Sequence, residues 1–274
     1  MISIPTLASL VLVTLIVAAM PVVLYRKLRA RFRLVPREPI LGIAVFALFA
    51  MVIERALHGF MLGNAVTSHW LSNPVAFVVY GALAAGVCEE VGRFAGMKWL
   101  IRREPAALER HGPALGYGIG HGGAEAWIVG ALVQAQWIVY AVLANNGTLD
   151  THFESAPLDA LARIHMILMS LSPVSAGIFL VERASAFVFQ LGFSALMWQL
   201  LRERSRAALG VLIAAHALVG LPAALFQARM IPLVAADAVY LVLGVIVALA
   251  LVRYYRRAAE AEAGSATSRG VRQP

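Results

Sequence analysis

Charge is scarce in this sequence, and cysteine is almost absent. Only 14% of its 274 residues are charged, against about a quarter in an average soluble domain. A single cysteine, Cys88, excludes an internal disulfide and supplies no structural zinc set. Acidic residues are fewer than basic ones, 15 against 23. No basic residue precedes the first apolar run, Ile2 to Tyr25, so that run lacks the start of a cleaved signal peptide. It reads as a retained first helix with its N-terminus outside. No internal repeat stands out, and no His-Glu-x-x-His motif points to a zinc peptidase of the common kind.

What takes the place of charge is apolar surface. Hydrophobic residues make up 61% of the chain and the mean hydropathy is +0.78, more than a water-soluble fold can bury. The net charge of +8 would suit nucleic acid if it were spread over a soluble module. Instead the cations sit in short clusters between apolar runs: Arg26 to Arg37, Arg102 to Arg110, Arg202 to Arg206, and Arg253 to Arg272. That placement follows the positive-inside rule and leaves no nucleic-acid-binding module; the expected surroundings are the lipid bilayer.

Apolar runs long enough to span fall near 2–25, 40–61, 74–101, 114–144, 173–201, 207–228 and 231–254. Alternating their direction gathers all four basic clusters on one face, which predicts a cytoplasmic C-terminus in a plasma (inner) membrane. The predicted fold is therefore all-α, a polytopic bundle of about seven spans forming one membrane-embedded domain over 1–257. Residues 258–274, rich in Ala, Glu, Gly and Ser, read as a disordered cytoplasmic tail. The segment 145–172 is too short and polar to span, and reads as an interfacial or re-entrant piece.

Within the spans lie residues that a bilayer tolerates only with a partner or a function, since a charge at mid-membrane costs about 2.5–3.5 kcal/mol on insertion scales. The third span carries Glu89, Glu90 and Arg93, and the fourth opens with a Gly-rich run containing His121 and Glu125. The fifth holds Glu182, Arg183 and Gln190, and the sixth His216. Counting from the cytoplasmic end at 1.5 Å per residue places Glu89, Glu125, His216 and Gln190 between about 14 and 18 Å, with His121 at about 10 Å and Glu182 near 29 Å. Spacing of four puts Glu89 with Arg93 and His121 with Glu125 on shared faces, while Glu90 points about 100° away from Glu89. The predicted centre is a layer halfway through the membrane, reached more easily from the cytoplasmic face. Glu54, Arg55 and His58 in the second span read mainly as local pairing.

Carboxylates beside imidazoles suit water activation, with a carboxylate as general base and a histidine polarising the carbonyl. The same groups suit a divalent metal such as zinc, held by His121, Glu125 and His216 with one glutamate of the third span. Both schemes lead to hydrolysis, and the spacing does not choose between them. Ser194 with His216 offers a weaker nucleophilic dyad, and a Cys88 nucleophile is disfavoured by the adjacent carboxylates.

Glu89-Glu90-x-x-Arg93, the Gly-x-Gly-His-Gly-Gly-x-Glu-Ala run at 118–126, Glu182-Arg183 and His216 together resemble the YhfC family of intramembrane peptidases. That family is grouped with the CAAX-protease and bacteriocin-processing membrane peptidases. The resemblance implies a CAAX-protease-like core and an endopeptidase acting on a membrane-associated peptide or protein, with Glu89, Glu90, His121, Glu125 and His216 as catalytic residues. Arg93, Glu182, Arg183 and Gln190 would support them. Two positions depart from the family pattern: Gln190 stands where a histidine is expected, and Gly220 where an amide or carboxylate is expected after His216. Gln190 can hydrogen-bond but cannot serve as a base or a good metal ligand. Buried Glu and His residues also suit a proton or cation transporter, and an inactive homologue would suit a membrane chaperone.

Overall fold

A computed structural model describes the backbone of residues 1–270 and the side chains of residues 1–260. Among the described residues there is no strand. Helix α1 is Ile4–Leu28, α2 is Arg37–Gly63, α3 is the short Ala65–Leu71, α4 is Pro74–Arg103 and α5 is Gly112–Asn145. Then follow α6 (Leu149–His152), α7 (Leu158–Ser170), α8 (Pro173–Arg202), α9 (Ala208–Gln227) and α10 (Leu233–Gly270). Among the described residues seven helices, α1, α2, α4, α5, α8, α9 and α10, are long and apolar enough to cross a membrane. The first six lie within a few residues of their expected spans, and α10 starts within two residues of its own. Helix α10 continues to Gly270, through most of the segment expected to be a disordered tail, and residues 271–274 of that segment lie outside the described residues.

The helix ends carry the polarity that the spans need. Asn73 caps α4 by accepting from the amides of Val75 and Ala76, with Pro74 in the first turn and Arg102 and Arg103 in the last. Ser172 caps α8 through a reciprocal bond with Ser175, with Pro173 following and Arg202 at the far end. Ser3 caps α1, which ends in Arg26 and Lys27. In all three, side-chain acceptors hold the orphan amides at one end and cations face the carbonyls at the other.

The bundle is built around α8 and α4, whose most apolar stretches are 56% and 44% buried, against 22% or less for the other spans. Helix α8 packs on α1, α5, α9 and α10, α4 lies along α9, and α2 lies along α5. The α2–α5 crossing is close because Gly120 offers no Cβ: one built there would collide with the Pro39 carbonyl. Towards the basic loops the interior is filled by Met97, Leu100, Tyr117, Met197, Trp198 and Leu212, all fully buried.

Between α5 and α8, helix α7 is 13 residues long, or about 20 Å, too short for a hydrocarbon layer of about 30 Å. Leu149 and Leu168 bury against Ala141 of α5, so the segment lies on the end of the bundle, consistent with an interfacial piece. Asn145 anchors the N-terminus there, accepting from the Ile2 amide at 2.6 Å and donating to its carbonyl at 2.8 Å.

At the basic face Glu104, just past α4, ties α2 to the loop before α5, bonded to Arg37 and, at 2.7 Å, to Arg110. The Arg37 hydrogen bond, then the nearby charges, hold its carboxyl below the ordinary value of 4.5. A lowered folded pKa contributes stability that is complete above the unfolded value and lost as pH falls through the folded one. Glu104→Gln is therefore expected to flatten part of the stability loss below pH 4.5. The effect is small because the side chain is one-third exposed. Thermal unfolding of both proteins across that range measures it; identical acid limbs would refute it.

Candidate active site

Helix α4 presents two adjacent carboxylates with separate assignments. Glu90 is fully buried and accepts from Arg93 Nε at 2.9 Å, one turn along the same helix. Its other oxygen lies 2.8 Å from His216 Nδ1 on α9. Arg93, also fully buried, spends its remaining donors on α8: on Ser194 Oγ at 2.5 Å, on the Gln190 carbonyl at 3.4 Å and on Gln190 Oε1. Glu89 shares a helix face with Arg93 by spacing, but the carboxylate that the arginine holds is Glu90. Three and four residues are both one turn away, and Glu90 is held in place by His216 of α9 while the remaining donors of the guanidinium are drawn to α8.

Glu89 is left to face the cavity. One of its oxygens is 3.0 Å from His121 Nε2 of α5 and accepts from Gln190 Nε2 at 2.9 Å. The same Gln190 nitrogen donates to Glu125 Oε2 at 2.9 Å, so one carboxamide ties two carboxylates together. The close approach of α5 to α8 here requires Gly122, where a Cβ would lie 2.8 Å from Gln190 Cβ. Arg183 Nη1 is 3.5 Å from the second Glu125 oxygen. His121 and Glu125, which spacing puts on one face of their own helix, each turn to another helix. After Glu125 the helix widens into a π-turn over Ala126–Leu132, which shifts the register on its outer side.

Aromatic rings fix both imidazoles. His216 stacks on Phe193 at 4.7 Å between centroids. His121 lies between Tyr117, stacked at 5.8 Å, and Phe46, edge-on at 5.3 Å. Its Nδ1 is buried with no hydrogen-bond partner.

Two cavities meet at Glu89 and Glu125. One, about 400 Å³, is lined on its other side by Glu54, Arg55 and His58 of α2. The second, about 280 Å³, is lined by Gln190, His216, Glu182, Arg183 and Tyr240. Glu54 and His58 lie far along α2 from its basic end, as Glu182 does on α8, so both cavities extend away from the basic loops. The cytoplasmic approach expected from depth alone is closed by the packed layer of Tyr117, Met97, Met197 and Trp198. Depth counting locates a layer without saying which side of it is filled.

The structure therefore brings Glu89, His121, Glu125 and Gln190 into one network and Glu90, Arg93 and His216 into a second, with Gln190 linking them through Arg93. Glu182 stands apart, at the far end of the second cavity. Ser194 is fully buried, bonded to Arg93 and donating to the Gln190 carbonyl at 2.8 Å, and so is not free as a nucleophile. Glu54, Arg55 and His58, whose spacing in sequence points mainly to local pairing, also line the site. Their signal was the four-residue spacing of Glu54 and His58, 3.3 Å apart here, and His58 also bonds to the Tyr80 hydroxyl at 2.5 Å.

The model of the YhfC intramembrane metalloprotease family matches residues 16–241, a stretch that contains every site residue named above. The chain belongs to the YhfC family. It is 31% identical over 213 residues to the uncharacterized membrane protein YhfC of Bacillus subtilis (strain 168), covering 77% of this chain and 80% of that protein. No solved structure matches. With its seven apolar helices this member is a multi-pass integral membrane protein.

The YhfC family description includes a metal, and the donor set can be tested against it. The proposed ligands His121, Glu125 and His216 do not converge. His216 gives Nδ1 to Glu90 and keeps Nε2, His121 gives Nε2 to Glu89 and keeps Nδ1 enclosed between Tyr117 and Phe46, and Glu125 is bonded to Gln190 and Arg183. The place between the Glu89 and Glu125 carboxylates, where a cation would bridge them, is filled by an amide N–H₂ donor. Among the described residues no three His, Cys, Asp or Glu side chains are arranged to hold a metal ion. As arranged here, these residues do not fit a resident metal.

Proposed function

We propose that this YhfC-family protein is an intramembrane peptidase that hydrolyses a peptide bond of a membrane-associated substrate with Glu89 as general base. The observation that carries this reading is a nearly buried carboxylate, 7% exposed, at the junction of two cavities and hydrogen-bonded to both an imidazole and an amide. Glu89 takes a proton from a water in the cavity, and the hydroxide adds to the carbonyl carbon. Collapse of the tetrahedral intermediate breaks the C–N bond, and the amine leaves with a proton returned from the carboxyl. His121 and Gln190 hold Glu89 in position. Glu90 accepts from His216 Nδ1, leaving Nε2 to face the developing oxyanion.

Charge counting supports the proton inventory. Three carboxylates, Glu89, Glu90 and Glu125, face two guanidiniums, Arg93 and Arg183. Glu54 and Glu182 add two carboxylates to the cavity walls against Arg55 alone, so neutrality within the membrane calls for protons beyond the charge of the guanidiniums, and His216, 2.8 Å from Glu90, is placed to carry one. The cavities lead to the face away from the basic loops; with those loops in the cytoplasm of a cell whose inner membrane holds the protein, substrate enters from the outer side. The packed layer on the other side argues against a transport path through the bundle.

Proteoliposomes containing the protein and a pool of single-span peptides, incubated in heavy-oxygen water, provide the test. New C-termini carrying one heavy oxygen are expected. Absence of any cleavage, together with a proton or cation flux that is lost in Glu125→Gln, would replace the peptidase reading with transport.

A further inference from the structure

A second concavity lies on the outside of the bundle between α1, α8 and α10. Its volume is about 730 Å³, and its walls are apolar, formed by residues such as Met20, Leu24, Leu191 and Leu251. At the end among the basic loops it is lined by Lys27, Arg31 and Arg256, all three exposed. No acidic side chain lines it, and among the described residues none of these three cations is in an ion pair. Arg31 is held at this end with its guanidinium 5.5 Å from the Phe32 ring. Along α1 the groove runs from Ile16 to Lys27, a rise of about 17 Å. One leaflet's share of a hydrocarbon core about 30 Å thick is about 15 Å.

The bilayer offers apolar contact to every outer face of the bundle, so the walls alone select nothing. The selective element is the combination of a trough one acyl chain deep with three cations at headgroup level that form no ion pair among the described residues. We propose that this groove is a binding site for an anionic glycerophospholipid, with acyl chains along α1 and α10 and the phosphate among Lys27, Arg31 and Arg256. A zwitterionic headgroup brings its own cation into the same cluster and loses the advantage. Because α8 forms the inner wall through Leu191, next to Gln190, a bound lipid braces the helix that carries the amide bridge. The proposal does not depend on the peptidase reading.

The full-length protein is purified in detergent, exposed to equimolar phosphatidylglycerol and phosphatidylcholine, and examined by native mass spectrometry during stepwise delipidation. Wild type is expected to retain one phosphatidylglycerol preferentially. In Lys27→Gln/Arg31→Gln/Arg256→Gln the preference is expected to fall about tenfold or more, each basic side chain at an anionic surface being worth roughly fivefold. A control, Arg102→Gln/Arg103→Gln/Arg206→Gln, removes as many exposed cations from other loops and is expected to keep the lipid. Equal retention of the two lipids by wild type, or equal losses in the two triple variants, would overturn the site. Phosphatidylglycerol should also raise the melting temperature of wild type and of the control but not of the groove variant, so misfolding is told apart from lost binding.

Discussion

Arg93→Leu is expected to lower the stability of the folded bundle by about 3–5 kcal/mol, the cost of leaving a buried carboxylate without its cation. Arg93 and Glu90 are both fully buried, and the guanidinium also donates to Ser194 Oγ and to the side-chain and backbone carbonyl oxygens of Gln190. Leucine satisfies none of these acceptors. Arg93→Lys keeps the charge but loses the planar fork, and should fall between wild type and Arg93→Leu. The double change Arg93→Leu/Glu90→Leu removes both charges and is expected to recover part of the loss, because a buried pair costs more to break than to delete. Denaturant titration in mixed micelles measures all four proteins. A loss of less than about 1 kcal/mol in Arg93→Leu would mean that water or lipid headgroups already compensate Glu90, contrary to its burial.

That pair also marks the limit of what the sequence disclosed. The seven spans were legible because apolar length and cation placement act on every helix at once, and a bilayer enforces both. The helices that meet at the centre were legible too, since Glu89, Glu125, Gln190 and His216 each sit at similar depth on different spans. Which carboxylate answers to which partner was not. Spacing along one helix leaves Arg93 able to reach Glu89 or Glu90, and the choice belongs to Ser194 and Gln190 on α8, almost a hundred residues away. The side from which the site opens was likewise hidden, because it depends on how Tyr117, Met197 and Trp198 fill the space beneath it. Gln190 stands where the family pattern has a histidine, and in three dimensions its amide nitrogen ties Glu89 to Glu125 while its oxygen faces Arg93. A residue type can be judged as base or ligand from sequence, but its value as a bridge appears only when both neighbours are placed.

Glu89→Gln follows from the same geometry and should have the largest effect on turnover. Removal of a positioned general base costs about 10²–10⁴-fold in rate, and glutamine keeps the size of the side chain and one acceptor for the Gln190 amide. The expected result is therefore a fall of that order in kcat, with KM and melting temperature close to wild type. Glu90→Gln provides the contrast. Its carboxylate is bonded to Arg93 and His216 and is closed to both cavities, so its loss should appear first as a lower melting temperature. The two adjacent glutamates thus predict opposite signatures, chemistry without instability for one and instability with secondary loss of chemistry for the other. If Glu89→Gln retains more than about a tenth of the wild-type rate while Glu90→Gln, still folded, is inactive, the assignment of base and scaffold is reversed, and His216 rather than His121 becomes the imidazole next to the base.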